Sequence, residues 1–406
     1  MAQPSQSSRA LARRIRQHIN GREHAFFAVI QPGFEETAVR ELREIGIESP
    51  LAMINGGAEF TSRLEGCYRV NLCSRTVTRV LMRVTTLRAK TFSQFYSRMV
   101  KIPWELYIKN GSKLSFSISS SLSRLYHTDG IESRCRSAIQ ARLGEYGIIH
   151  EFTDDVSGPE AQKIFIRFHE NICTVSMDSS GEALYRRGRK TLVSEAPLRE
   201  TTAACLLREA GLDRYEIMLD PMCGSGTFTI EALEMMLGIQ PGLEREFAFQ
   251  GWPAFRPAAF NHLKQSLDAG AGTEAGERSF SVITADIDPA AVDLARKNLK
   301  AAGLASYSRI STSDFTRGRI QVPDDRQCLI VLNPPYGGRL SGFNVKETYR
   351  KIGSTIRQKY SSCGYLILTP DMETERALSL TWDKKIVFSH GGTGRGAIIR
   401  HSPKTG

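Results

Sequence analysis

Apolar and polar positions along this 406-residue chain follow two rhythms that change over near Pro197. From Ala25 the pattern is one of short α+β units: an apolar strand over 25–30, the turn pair Pro32-Gly33, then a helix from Phe34. That helix sets Ala38, Leu42 and Ile45 on one face and Glu35, Glu36, Glu41 and Glu44 on the other. A Gly56-Gly57 turn and a strand to Thr61 follow. Over 77–84, alternation sets Val80, Met82 and Val84 opposite Arg79 and Arg83. Strands at 114–119, 163–168 and 172–177 flank a helix near 132–143, which predicts a mixed sheet with helices. Residues 1–22 hold five Arg and no acid ahead of this patterning and are expected to form a disordered basic tail.

After Pro197 the order becomes helix 198–210, strand 216–219, helix from Ser225, strand 281–285, helix from Pro289 and strand 309–312. Strand 328–332, helix 345–359 and strand 364–369 continue it. Such alternation predicts a doubly wound α/β sheet. The last two strands, 385–390 and 397–401, are joined by Gly391-Gly392-Thr393-Gly394-Arg395-Gly396. That run reads as a hairpin in preference to a phosphate cradle, because no helix follows it.

Charge adds a clue about partners. The net charge is +11, and residues 51–150 alone carry 15 basic against 6 acidic side chains, which points to a polyanion-binding amino-terminal half. A basic stretch, Arg186, Arg187, Arg189 and Lys190, ends that half and is a candidate contact for the polyanion. The longest apolar stretches, such as 328–332 and 365–368, are of strand length, so no membrane span is expected. Eight scattered cysteines with no C-x-x-C pair are expected to be buried thiols in a reducing, cytoplasmic setting, with no structural metal. Nothing in the sequence indicates an oligomeric state.

The candidate chemistry lies in the α/β half. Asp220-Pro221-Met222-Cys223-Gly224-Ser225-Gly226-Thr227 joins a strand to a helix, and Gly224 and Gly226 let the backbone approach a ligand beside a helix amino terminus. There is no P-loop lysine. Asp286, at the next strand's carboxyl end, is placed to accept from both hydroxyls of a ribose, while Asp288 before Pro289 reads as a helix cap. Asp314-Phe315 suits an adenine, the carboxylate accepting from the amine and the ring packing on its face, though a strand-end turn explains it as well. Asn333-Pro334-Pro335-Tyr336 follows an apolar strand. There the Asn333 side-chain oxygen and the Pro334 backbone oxygen can accept both N–H bonds of a planar base amine and polarise its nitrogen toward a methyl group, while Tyr336 stacks on the base.

The ordered set DPMCGSGT, DIDP, SDF and NPPY resembles class I S-adenosylmethionine-dependent methyltransferases of the amino-group type. NPPYGGRL (333–340), APLRETTAA (196–204) and PGLEREFAFQGWPAF (241–255) are similar to the THUMP-domain RNA guanine-N2 methyltransferases, particularly the bacterial large-subunit ribosomal RNA enzyme. PGFEETAVRELREIG (32–46) and NLCSRTVTRVLMRV (71–84) extend the likeness toward the amino terminus. The resemblance implies a ferredoxin-like segment over 23–65, a THUMP RNA-binding domain over 66–180, a basic linker over 181–195 and a seven-stranded methyltransferase domain over 196–406. It also implies that Asp220, Gly224 and Gly226, within a loop that includes Cys223 and Thr227, line the methionine part of the cofactor. Asp286 would then hold the ribose, Asp314 with Phe315 the adenine, and Asn333 with Tyr336 the target base. Some relatives carry a second, fused methyltransferase domain; its absence here implies one modification.

The expected activity is methyl transfer from S-adenosylmethionine to guanine N2 of RNA, with 23S rRNA the expected partner and no metal. Transfer-RNA guanine N2, adenine N6 or protein glutamine as acceptor, or a non-catalytic RNA-binding module, are the alternatives.

Overall fold

A computed structural model describes residues 6–54, 56–154, 158–188, 198–270, 280–323, 325–335, 344–390 and 393–402. The chain divides into two compact units. The first comprises 1–30, 41–184 and 245–265; the second comprises 31–40, 185–244 and 266–406.

The first unit is built on one eight-stranded mixed sheet. Its strands are β1 (His24–Ile30), β2 (Ala52–Ile54), β3 (Gly57–Ser62), β4 (Val77–Arg88), β5 (Ser112–Ser121), β6 (His150–Phe152), β7 (Ala161–His169) and β8 (Ile172–Asp178). They lie in the order β2-β3-β1-β4-β8-β7-β5-β6. With helices Glu35–Glu44 and Leu64–Cys73, the first four strands make a βαββαβ series. β4 pairs with β1 on one edge and β8 on the other, so the sheet runs without a break across the expected boundary at 65/66. On β4 Val80 and Met82 are buried as expected, but Leu81 is buried too and Val84 is only half-buried. The pairing with β8 shifts register between Arg83 and Thr85, and such a bulge ends strict alternation.

Two expectations need correction here. Residues 6–20 form a helical segment, not a disordered tail: Ile15 and Ile19 are buried, and Arg14 pairs with the fully buried Glu105 at 2.8 Å. Residues 245–265, expected inside the methyltransferase domain, cluster with the first unit, where Phe247, Phe249, Phe255 and Phe260 gather around Tyr68 and each other. Aromatic pairs of this kind stabilise beyond their buried area, which explains why the segment leaves its sequence neighbours.

The second unit holds a seven-stranded sheet of β9 (Ile217–Asp220), β10 (Ser281–Asp286), β11 (Ser308–Thr312), β12 (Cys328–Leu332), β13 (Gly364–Thr369), β14 (Lys384–His390) and β15 (Thr393–Arg400). The order is β11-β10-β9-β12-β13-β15-β14, parallel from β11 to β13 and antiparallel at β15 and β14. β12 and β13 are buried along their whole length, as expected of strands covered on both faces, and both match their expected bounds. His390 pairs with Thr393, so the glycine-rich run is a hairpin whose two turn residues lie outside the described residues. Connections diverge between β9 and β12, which makes the carboxyl ends of these strands the switch point where such sheets hold ligands. All eight cysteines are buried and none is in a disulfide. Among the described residues no helix is long and apolar enough to cross a membrane.

Candidate active site

At that switch point the ends of β9 to β12 line a cavity of about 570 Å³, which includes Met222, Cys223, Gly224, Asp286, Asp314 and Asn333. This is within the roughly 300–1,000 Å³ usual for small-molecule sites. The loop after β9 turns sharply: Gly224 has φ +53° and Gly226 φ +82°, a region that side chains rarely adopt. A Cβ on Gly224 would meet nothing within 4 Å, so its backbone borders open space. Asn298, buried on helix Pro289–Ala301, donates to the Ser225 carbonyl at 3.0 Å and pins this loop.

The Asp286 carboxylate is aimed by two backbone donors, Gly224 N–H at 2.9 Å to Oδ2 and Asp288 N–H at 3.0 Å to Oδ1. A carboxylate has about four lone-pair directions, so two stay open, enough for a diol. Asp288 caps the following helix, accepting from Ala290 N–H at 2.9 Å with Pro289 at the first helical position, as its spacing predicts. Ile287 between them is 65% exposed and borders the cavity. Its signal was an apolar residue set between two acids at a strand end. Asp314 accepts from Thr316 N–H at 2.9 Å and Thr316 Oγ1 at 2.7 Å, so it both caps a turn and faces the cavity.

Several expected positions differ. Phe315 borders the cavity, but its ring is 2% exposed and stacks on Tyr360 at 5.4 Å, so it offers a base little free face. Asp220 is buried and turned away from the cavity lining, accepting from Thr229 Oγ1 at 2.8 Å; Thr229 in turn meets Thr284 at 3.1 Å. Burial pushes the Asp220 carboxyl up to about 7 against that hydrogen bond, and the Asp286 charge adds to the rise. Burial, reinforced by Asp220 and Asp286, also raises the Cys223 thiol, which keeps it protonated and no nucleophile. Thr227 borders the cavity.

At the far rim, β12 delivers Asn333, Pro334 and Pro335. The Asn333 Oδ1 is buried and has no hydrogen-bond partner among the described residues, while Pro334 is buried and Pro335 lines the cavity. A buried acceptor left unmatched costs roughly 1–3 kcal/mol, so this oxygen marks where a donor from a ligand belongs. Tyr336 lies outside the described residues. Helix Val345–Lys359 adds Thr348 and Lys351 to the rim, which sequence reasoning missed because neither belongs to a motif.

Of the four basic residues read as polyanion contacts, Arg189 and Lys190 lie outside the described residues and Arg186 is exposed. Arg187 is not available: it is 5% exposed and its Nε lies 3.1 Å from Glu231 Oε1, itself buried. A charge removed from water in this way serves the interior and cannot meet a phosphate.

Residues 187–395, half of the chain, match the RMKL-like methyltransferase domain, and residues 25–81 match the RlmL ferredoxin-like domain. The chain belongs to the RMKL-like methyltransferase family. Ribosomal RNA large subunit methyltransferase K/L of Psychromonas ingrahamii is 29% identical over 374 residues, covering 90% of this chain and 49% of that protein. This chain thus spans about half the length of that relative. A putative RNA methyltransferase of Synechocystis is 28% identical over 90% of this chain and 94% of its own length. Among solved structures, the putative methyltransferase SMU.472 complexed with SAH superposes with a TM-score of 0.83 at 26% identity, covering 95% of this chain and 99% of that one. The fold is that of the class I, S-adenosylmethionine-dependent methyltransferases, and the cavity at the switch point suits that cofactor: an aimed carboxylate, a glycine backbone open to ligand and an apolar rim residue.

Proposed function

We propose that this chain methylates RNA at an exocyclic base amine, most specifically guanine N2 of large-subunit ribosomal RNA. The observation that carries the reading is the buried Asn333 Oδ1, without a partner among the described residues, at the rim of the cofactor cavity. When bound, S-adenosylmethionine supplies an electrophilic sulfonium methyl group. Asp286 holds the ribose hydroxyls, Asp314 and Ile287 the adenine, and the Gly224 backbone the methionine end. Asn333 Oδ1 and the Pro334 carbonyl accept the two N–H bonds of the amine and draw its lone pair out of conjugation with the ring, while the two prolines keep these acceptors fixed. Tyr336 stacks on the base withdrawn from its helix. No strong base is required, since positioning and polarisation carry the rate. The large-subunit ribosomal RNA assignment is supported by the K/L relatives and the guanine assignment by the NPPYGGRL resemblance, while RNA as substrate is supported by the relatives together with the basic 51–150 segment, most of which lies within the proposed THUMP region over 66–180.

The test is nucleoside mass spectrometry of separated ribosomal and transfer RNA from cells with and without the gene. Loss of N2-methylguanosine from large-subunit RNA alone is expected. Loss of N6-methyladenosine, or of a methyl mark on transfer RNA, would reassign the substrate.

A further inference from the structure

We propose that the open face of the first unit's sheet, across β4, β8, β7 and β5, is a docking surface for the sugar–phosphate backbone of RNA; this rests on the RNA reading above. Helices Phe92–Met99 and Thr128–Gly144 cover the opposite face, where Phe95 meets Phe168 at 5.3 Å and Ile164, Ile166, Cys173 and Val175 are fully buried. The two-residue strand period therefore sends their neighbours in sequence to the other side. Register lines these neighbours up in straight rows. The outer row is Arg88, Ile172, His169 and Ser121, and the next is Thr86, Thr174, Arg167 and Ser119. Seven of the eight are exposed and Thr174 is half-exposed.

The chemistry of these rows is that of a polyanion site. Neither row contains a carboxylate, and Arg88 and Arg167 have no acidic partner among the described residues. The unit's other sheet arginines are neutralised: Arg79 pairs with Asp178, and Arg83 with Glu59 at 2.8 Å. Hydroxyls of Thr86, Ser119 and Ser121 fill the spaces between the cations, and such groups hydrogen-bond phosphates and 2′-hydroxyls. Within the rows only Ile172, 46% exposed, is apolar, with Leu122 exposed at the end of β5.

The rim is held in place. The β7–β8 turn has φ +49° at Glu170 and +63° at Asn171. Asn171 accepts from Arg124 N–H at 2.9 Å, donates from its own N–H to Ser123 Oγ at 2.8 Å, and accepts at its carbonyl from Ala89 N–H at 3.0 Å. This ties the ends of three strands together and presents Arg124 and the 65% exposed Tyr126 beside the rows. Glu170 is the acid at this edge, in the turn and outside both rows.

The test uses the full chain and fluorescence anisotropy with protein-free large-subunit ribosomal RNA fragments and a labelled RNA hairpin, across a potassium chloride series. Arg88→Ala with Arg167→Ala should weaken binding by at least tenfold. It should also make the slope of log affinity against log salt shallower by about 1.5, the value for two lost phosphate contacts. SAM affinity by calorimetry should not change. Arg98→Ala with Arg134→Ala removes the same charge from the helices on the covered face and should change RNA affinity by less than threefold. Arg88→Lys with Arg167→Lys should retain most of the binding, which separates lost contacts from lost fold. Equal losses in the sheet and helix pairs, or no loss in the sheet pair while the wild-type chain binds RNA, would overturn the docking surface alone. A wild-type chain that binds neither RNA would overturn the RNA reading and the surface with it.

Discussion

Asp286→Ala tests the cofactor site at its best-defined point. The carboxylate spends two of its lone-pair directions on the Gly224 and Asp288 N–H groups, at 2.9 and 3.0 Å, and offers the rest to a diol. A hydrogen bond to a charged acceptor contributes about 1.5–3 kcal/mol, so losing the ribose contact should raise the Kd for S-adenosylmethionine about tenfold to about 150-fold. Freeing the Gly224 turn pushes the outcome toward the upper end. Asp286→Asn is the informative companion. Its amide nitrogen must face one of the two backbone N–H groups, so it keeps only one tether and no charge, and its affinity should fall between wild type and Ala. Titration calorimetry with S-adenosylmethionine reads both variants, and circular dichroism confirms that they fold. Unchanged affinity in a folded Ala variant would refute the ribose assignment and reduce Asp286 to a loop tether.

Three further outcomes are expected. Arg187→Ala should cost about 3–5 kcal/mol in urea denaturation, because it removes an ion-pair partner of the buried Glu231, and should leave the salt dependence of RNA binding unchanged. For Asp220, burial raises the folded carboxyl to about 7 from an unfolded 3.8, so its contribution to stability is full below about pH 4 and is lost as pH rises to about 7. Asp220→Asn should therefore gain on wild type across that window, by up to about 1.4 kcal/mol per pH unit, and a difference independent of pH would contradict it. A fragment spanning 196–406 keeps Phe247, Phe249 and Phe260 but loses Tyr68, against which all three rings or their neighbours pack; it should self-associate in sedimentation, and a monodisperse fragment would show that 245–265 does not need the first unit.

How much of this was legible in the sequence depended on whether the deciding contacts were local. β12, β13 and helix Val345–Lys359 matched their expected bounds because continuous apolar runs and strand–helix alternation are local signals. The Asp288 cap and the strand-end positions of Asp286 and Asn333 were legible for the same reason. The helix at 6–20 was hidden because only Ile15 and Ile19 bury, and its anchor is a buried Glu105 about 90 residues away. Arg187 read as a surface charge because its partner Glu231 lies over 40 residues away in helix Thr227–Met236, on a face that composition cannot identify as buried. Phe315 borders the cavity but offers it little of its ring, because the cap at Asp314 starts a tight turn that sends the ring inward onto Tyr360. The departure of 245–265 from the second unit follows from aromatic packing across long sequence distance, which no local pattern reports.

The measurement that bears most directly on the account is single-turnover transfer of a labelled methyl group from S-adenosylmethionine to protein-free large-subunit ribosomal RNA by wild type and Asn333→Ala. Wild type should place the label on guanine N2. Transfer by the variant should be at least about a hundredfold slower, the scale for losing a preorganised polar group, with cofactor and RNA affinities largely kept. Transfer by Asn333→Ala at close to the wild-type rate would contradict the claim that the buried Asn333 oxygen holds the reacting amine.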